Sequence, residues 1–412
     1  MRRTPIELAA VASAAVPGLA PTAVSSAPDD AADFDAALLL DSAGKRWRVR
    51  SPRHIEASTR LETELLVLRV FSPAIRAELP FLMPTVAGTV RQGELTTFVY
   101  SHLSGRTRSI EDLTRGSARM SRELGAAMAA IHDLPPSIVQ DADLPSYTAN
   151  EFRQRKLNEL DQAATTGQIP AALLRRWEHA LEDVALWRFK PCVVHGDLHE
   201  DNILVEGERV IAVTGWTDLR VGDPADDFAW LVAANNQKFV DAILESYSAS
   251  RKDAPDRHLI RRAALSAEFA LAQWLVKGIA AEDGRMVAEA KEMLAALESD
   301  IAQYGGQPIS VEPPPAPSAP PAPSSPPSAA AAPANAAAPA DPADAAPQAQ
   351  PAEPADAGEA KDARDVSQAK EPAPARQAPA KFSVAPIPAD DDTHTDDAAG
   401  PESPANGTVS RP

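Results

Sequence analysis

The run HGDLHEDN, residues 195–202, sets Asp197 and Asn202 on one short loop. An aspartate held rigidly on a loop can orient a hydroxyl nucleophile or take its proton, and an asparagine carbonyl oxygen is a hard ligand suited to Mg²⁺. The segment before it, CVVH (192–195), has the composition of a short buried strand, and Gly196 follows where the chain must turn. Beyond it, ILVEGERVIAVT (203–214) has the pattern of a hairpin turning at Glu206–Gly207, and VGDPADD (221–227) adds Asp223. Acids in an isolated HGD would be expected to do no more than cap turns. HGDxxxxN followed by a hairpin and GDPxxD is far more specific, and it points to chemistry.

These residues need elements to position them. With 412 residues, 44% of them hydrophobic, the chain can build one large domain or two small ones. At its start IELAAVASAAV predicts a helix that stops at Pro17-Gly18; Pro5 and Glu7 interrupt the run that a signal peptide would need. FDAALLLDSAGKRWRVRSP predicts a β-hairpin turning at Ser42–Lys45, and RLETELLVLRVFSPAIRAEL a helix with Leu61, Leu65 and Leu68 on one side. LTTFVYSHL predicts a strand, and MSRELGAAMAAIHDL an amphipathic helix. Residues 150–187 and 256–303 also have helical patterns. The outline is α+β, a small β-rich lobe followed by a larger helical one.

Of the 39 prolines, 23 lie in residues 311–412, where the only aromatic side chain is Phe382. So little apolar surface cannot offset chain entropy, which predicts a disordered or partly polyproline II tail over 305–412, open to protein partners. Residues 311–412 carry 15 acids against 6 bases, half of the formal charge of −18. The remaining negative charge argues against nucleic acid and anionic membrane surfaces as partners. A single cysteine, Cys192, permits no internal disulfide, and no run of 18 apolar residues exists; a cytoplasmic location is expected.

HGDLHEDNILV with VGDPADDFAWL resembles the aminoglycoside and macrolide phosphotransferase (APH) family, small-molecule kinases with a protein-kinase-like fold. The resemblance covers roughly residues 5–304 and implies an N-lobe with nucleotide-binding strands and hinge over 1–102, and a helical C-lobe with the catalytic loop over 103–304. It implies ATP or GTP and Mg²⁺ as cofactors, Asp197 as catalytic base and Asn202 as metal ligand. His195 and Asp223 become structural residues beside the site, Asp223 tying the loop to DDFAWLVAA. Alternation in KRWRVRSP puts Arg48 and Arg50 on one face; the resemblance makes Arg50 the phosphate contact and Glu64 its ion-pair partner. Val99, Tyr100, Ser101 and His102 would form the hinge against which the base stacks, and Glu268, Phe269 and Trp274 would line the acceptor pocket.

One position departs from the family. Where members have Ile-Asp-Trp, whose aspartate chelates Mg²⁺, this chain has Thr214-Gly215-Trp216. Asp218, three residues on, is the nearby candidate to replace it. Three readings stay open: a kinase with an atypical metal site, a pseudokinase that binds nucleotide or small molecule as a sensor or scaffold, and a non-catalytic interaction module.

Overall fold

The computed structural model describes residues 2–234, 236–306 and 309; the expected disordered tail lies outside the described residues, apart from Gly305, Gly306 and Ile309. Helix α1 (Pro5–Ala15) opens the chain where the sequence predicts it. A capping box of Thr4 and Glu7 starts it and satisfies backbone N–H groups left bare at the first turn. Strands β1 (Pro21–Ser26), β2 (Phe34–Asp41), β3 (Arg46–Pro52), β4 (Val86–Gln92) and β5 (Leu95–Ser101) follow, with α2 (Ile55–Val70) and α3 (Pro73–Glu78) between β3 and β4. They form one antiparallel sheet in the order β1-β2-β3-β5-β4.

Period-two alternation divides this sheet between two helices. Trp47, Val49 and Val99 pack with Leu8 and Ala12 of α1, while Phe98 and Tyr100 face Ala57 and Leu61 of α2. Helix α1 lies so close to β4 that a Cβ on Gly88 would meet the Ala15 carbonyl oxygen at 2.1 Å. In register, Arg48 stands opposite Tyr100 and Arg50 opposite Phe98, which puts both arginines on the α2 side of the sheet.

The helical lobe contains α4 (Ile110–Thr114), α5 (Ala118–His132), α6 (Ser137–Gln140), α7 (Ala149–Thr165), α8 (Ala171–Glu182), α9 (Gln237–Ser250), α10 (Leu259–Ala280) and α11 (Gly284–Tyr304). Between α8 and α9 run the short strands β6 (Cys192–Val194), β7 (Ile203–Glu206), β8 (Arg209–Val213) and β9 (Arg220–Gly222), paired β6 with β9 and β7 with β8. Two apolar clusters hold the lobe: one joins α5 and α9 to the β6–β9 region, the other joins α7, α8, α10 and α11 around Trp177 and Phe269. Trp216 joins the lobes. It is fully buried, 5.3 Å from the ring of Phe71 at the end of α2 and 4.7 Å from the ring of His195. No described helix is long and apolar enough to cross a membrane.

Candidate active site

Strand β6 delivers the chain into the loop 195–202, and the loop is held by its backbone. Asp227 is fully buried and accepts the N–H groups of His195 and Gly196, each at 2.8 Å, one on each carboxylate oxygen. Its Oδ2 also lies 3.0 Å from His132 Nε2, and His132 Nδ1 lies 2.8 Å from the Tyr247 hydroxyl. Burial works against the Asp227 anion, but the hydrogen bond and charge of His132, with help from His195 and the Gly196 N–H, outweigh it and hold the carboxyl below its ordinary range. The family resemblance implies that Asp223 ties this loop to the helix DDFAWLVAA. The structure corrects this: Asp223 instead takes both sides of the buried Arg262 fork, at 2.7 and 3.1 Å, and caps the Ala225 N–H. Burial raises the Asp223 carboxyl despite Arg262.

The other two residues of the loop motif are held as firmly. His195 is buried, and burial lowers its pKa even though Asp227, Asp197 and the Thr214 carbonyl favour its charged form. Its Nδ1 accepts the Asp197 N–H at 3.4 Å, which leaves Nε2 to donate to the Thr214 carbonyl at 2.8 Å. Asn202 Nδ2 donates to the Asp197 carbonyl at 2.8 Å, and the Asn202 carbonyl accepts the Thr214 N–H at 2.9 Å. Thus the backbone of Asp197 is gripped on both sides while its side chain stays 28% exposed, open to an acceptor. His199 stands beside it, Nε2 at 3.9 Å from Asp197 Oδ2. Behind the loop Arg220 reaches the Gly196 and Asp218 carbonyls and the Asp226 carboxylate.

Gly215 sits in the left-handed region, φ 78° and ψ 39°. A Cβ there would fall 2.4 Å from Asn202 Oδ1, so the asparagine amide fills the space in which an acid at 215 would begin. Asp218 helps keep Arg220 charged, after Asp226. Among the described residues no three His, Cys, Asp or Glu side chains are placed to hold a metal ion. The donors present do not fit a divalent cation bound by the protein alone.

On the sheet, the arginine expected to contact phosphate has a different partner from the expected one. Arg50 gives Nε and Nη2 to Asp29, at 2.8 and 3.0 Å, and its guanidinium lies 4.1 Å over the ring of Phe34. Glu64, 4% exposed, accepts the Tyr100 hydroxyl at 3.2 Å. The expected Arg50–Glu64 pair is therefore replaced by Arg50–Asp29, because the β1–β2 connection brings an acid onto the same face of β3. Val99 and Tyr100 are buried in the sheet, and the backbone N–H groups of Ser101 and His102 bond to the Thr85 and Arg46 carbonyls, at 2.9 and 3.1 Å. His102 has its pKa lowered by burial and by Arg46 and Arg48.

The expected acceptor-pocket residues lie in the helical core instead. Glu268 takes Arg176 at 3.0 and 2.9 Å and the Trp177 indole N–H at 3.0 Å; Phe269 packs edge-on against Trp177 at 5.6 Å. Trp274 is half-buried, packed against the same cluster, with Lys277 5.9 Å above its ring. Helical spacing of Glu, Phe and Trp served burial here, with Arg176 and Trp177 from α8 satisfying the acid.

Residues 26–261, more than half of the chain, match the model of the APH phosphotransferase enzyme family. The chain belongs to this family. Solved structures of the same fold include the macrolide 2'-phosphotransferase MphH from Brachybacterium faecium, at 22% identity and a TM-score of 0.60, covering 70% of this chain and 97% of that one. Macrolide 2'-phosphotransferase type I is similar at 24% identity and a TM-score of 0.59, covering 71% and 98%. The GDP complex of aminoglycoside 2'-phosphotransferase-IIIa aligns at 16% identity and a TM-score of 0.59, covering 73% and 99%. The uncharacterized protein YcbJ of Bacillus subtilis is 24% identical over 228 residues, 52% of this chain and 72% of that protein. This APH phosphotransferase thus has the kinase-like fold that its loop motif implied.

Proposed function

We propose that this APH phosphotransferase transfers the terminal phosphoryl group of ATP or GTP to a hydroxyl of a small molecule, with Asp197 as the base. The observation that carries the reading is the grip on the Asp197 backbone by Asn202 and His195 while its carboxylate faces outward. Phosphoryl transfer asks the protein for positioning more than for covalent chemistry. Asp197 accepts the hydrogen bond of the acceptor hydroxyl and takes its proton as that oxygen bonds to phosphorus and the bond to the diphosphate breaks. The nucleoside diphosphate leaves. Similar structures were solved with GDP, with kanamycin and with gentamicin, which supports a nucleotide donor and an amine-bearing polyhydroxyl or macrolide acceptor here.

Gly215 and its neighbour Asn202 favour a second reading, a pseudokinase that binds nucleotide without turning it over. Measuring nucleotide hydrolysis with a panel of macrolides and aminoglycosides, beside nucleotide binding by calorimetry, separates the two. Asp197→Ala should lower turnover by about 10²–10⁴ and leave nucleotide affinity nearly unchanged. Binding with no turnover in the parent protein supports the pseudokinase; an equal loss of binding in Asp197→Ala makes Asp197 structural.

A further inference from the structure

The connection between β1 and β2 contains Asp29, Asp30 and Asp33 in seven residues, an acidic composition for a segment that folds over the face of β3 carrying Arg48 and Arg50. Asp29 is its innermost acid, with a side chain 8% exposed. Its two carboxylate oxygens take the Nε–Nη2 edge of Arg50, and Oδ2 also takes Arg48 Nη2 at 3.0 Å. Arg48 Nη2 additionally binds the Pro28 carbonyl at 2.6 Å, so the loop is fastened at two successive residues. Asp33 fastens the far end of the loop, through Arg60 and His54 at the start of α2. Burial disfavours the Asp29 anion, but Arg50 and then Arg48 outweigh it and keep its carboxyl below the ordinary range.

A guanidinium edge grips a carboxylate and a phosphate with the same fork of parallel N–H donors. One ligand occupies that edge at a time. We propose that Asp29 is an internal phosphate surrogate: it holds the Arg50 fork, and nucleotide phosphate must displace it, so Asp29 sets nucleotide affinity. The proposal rests on the reading of Arg50 as the phosphate contact. Glu64 fits the exchange. It accepts the Tyr100 hydroxyl, and its carboxylate joins Asp29 in holding Arg50 charged against the burial that works the other way. An arginine released by Asp29 therefore stays beside a buried carboxylate. The apparent affinity of such a site is the intrinsic affinity reduced by the fraction of molecules in which the loop has let go.

Calorimetry on the full chain with three probes, ATP, inorganic tripolyphosphate and adenosine, tests the idea. Asp29→Asn should tighten ATP and tripolyphosphate about tenfold or more and leave adenosine unchanged. Unchanged or weaker ATP binding in the variant overturns the proposal and makes Asp29 a support for Arg50. No binding of ATP or tripolyphosphate by either protein removes the nucleotide reading itself, and the proposal falls with it. Hydrogen exchange on the unsubstituted chain gives an answer that does not depend on the variant folding. ATP, but not adenosine, should speed exchange of the Asp33 and Phe34 amides, which bond to the Asp30 carbonyl within the loop. Slower or unchanged exchange there with ATP bound overturns it.

Discussion

The two lobes hold their charges in different ways. In the helical lobe, Asp227 and His132 are fully buried, and Arg262 and Asp223 are 1% and 2% exposed at their side chains; each is met by groups from the lobe's own core. In the β-rich lobe, Arg48 and Arg50 are 35% and 24% exposed and are met by Asp29 of a surface loop. Opening a fully buried pair strands an ion in apolar surroundings at several kcal/mol, whereas Arg48 and Arg50 keep part of their guanidinium groups in water when a carboxylate leaves them. Asp227 thus holds the 195–202 loop from within the core, and the Arg50 fork is held from a surface loop, where the proposed exchange of one anion for another would take place. Low-stability segments at ligand sites are the general expectation for parts that must move.

The contrast breaks most severely if Asp227 can be lost cheaply. Asp227→Ala strands two N–H groups and His132 in the core, and we expect a loss of about 3–5 kcal/mol of unfolding free energy together with turnover. Asp227→Asn keeps the shape but must turn its NH₂ toward one of the N–H donors, so it should cost about 1–3 kcal/mol. Urea unfolding of the two variants checks this. Equal and small losses in both would mean the loop is held by something other than that carboxylate.

A smaller effect is expected at the point where the two sides meet. Gly215→Ala places a Cβ in the left-handed region, at about 1–2 kcal/mol, and pushes the Asn202 amide off the Asp197 carbonyl. Gly215→Asp should cost less in the backbone, since aspartate tolerates that conformation, and it tests whether an acid restores metal-dependent nucleotide binding. Melting curves and ATP calorimetry with and without Mg²⁺ read both. A more stable Gly215→Ala protein would show that the glycine is not required by its conformation.

What sequence could and could not show follows the same division. HGDLHEDN announced itself because its residues act within one loop, and the β2–β3 hairpin and α1 because alternation and an alanine-rich run stopped at Pro17-Gly18 are local signals. Asp227 stands within the motif, but its role is not visible there, because the N–H groups it accepts lie 31 and 32 residues earlier. Asp29 carries no motif at all; its partner Arg50 is 21 residues away and becomes its neighbour only when β2 and β3 pair. Glu268 and Phe269 illustrate the opposite difficulty. An acid among aromatic residues on a helix has the same pattern whether it lines a pocket or meets a buried arginine, and Arg176 lies 92 residues away.

The mildest test of the comparison is titration. His195, in the buried half, has its pKa lowered by burial, and His102, on the nucleotide side, has it lowered by burial and two arginines. A histidine whose pKa is depressed in the folded state binds its proton less tightly than the unfolded chain does, so it contributes stability above the ordinary value of 6.5 and loses it as the pH falls through that value. Buried His195 should give unfolding free energy a slope of up to about 1.4 kcal/mol per pH unit between pH 7 and 5, above the range in which exposed carboxylates titrate, and the more exposed His102 a smaller one. His195→Gln, whose amide can still donate to the Thr214 carbonyl, should remove one such slope, and His102→Gln the other. Urea unfolding at three pH values measures it. If burial governs, the His195 slope persists in 1 M salt, because salt screens exposed charges and leaves desolvation in place, whereas the share of the His102 slope that comes from Arg46 and Arg48 shrinks. The same salt dependence at both positions would erase the distinction between charges held in the core and charges held near the surface.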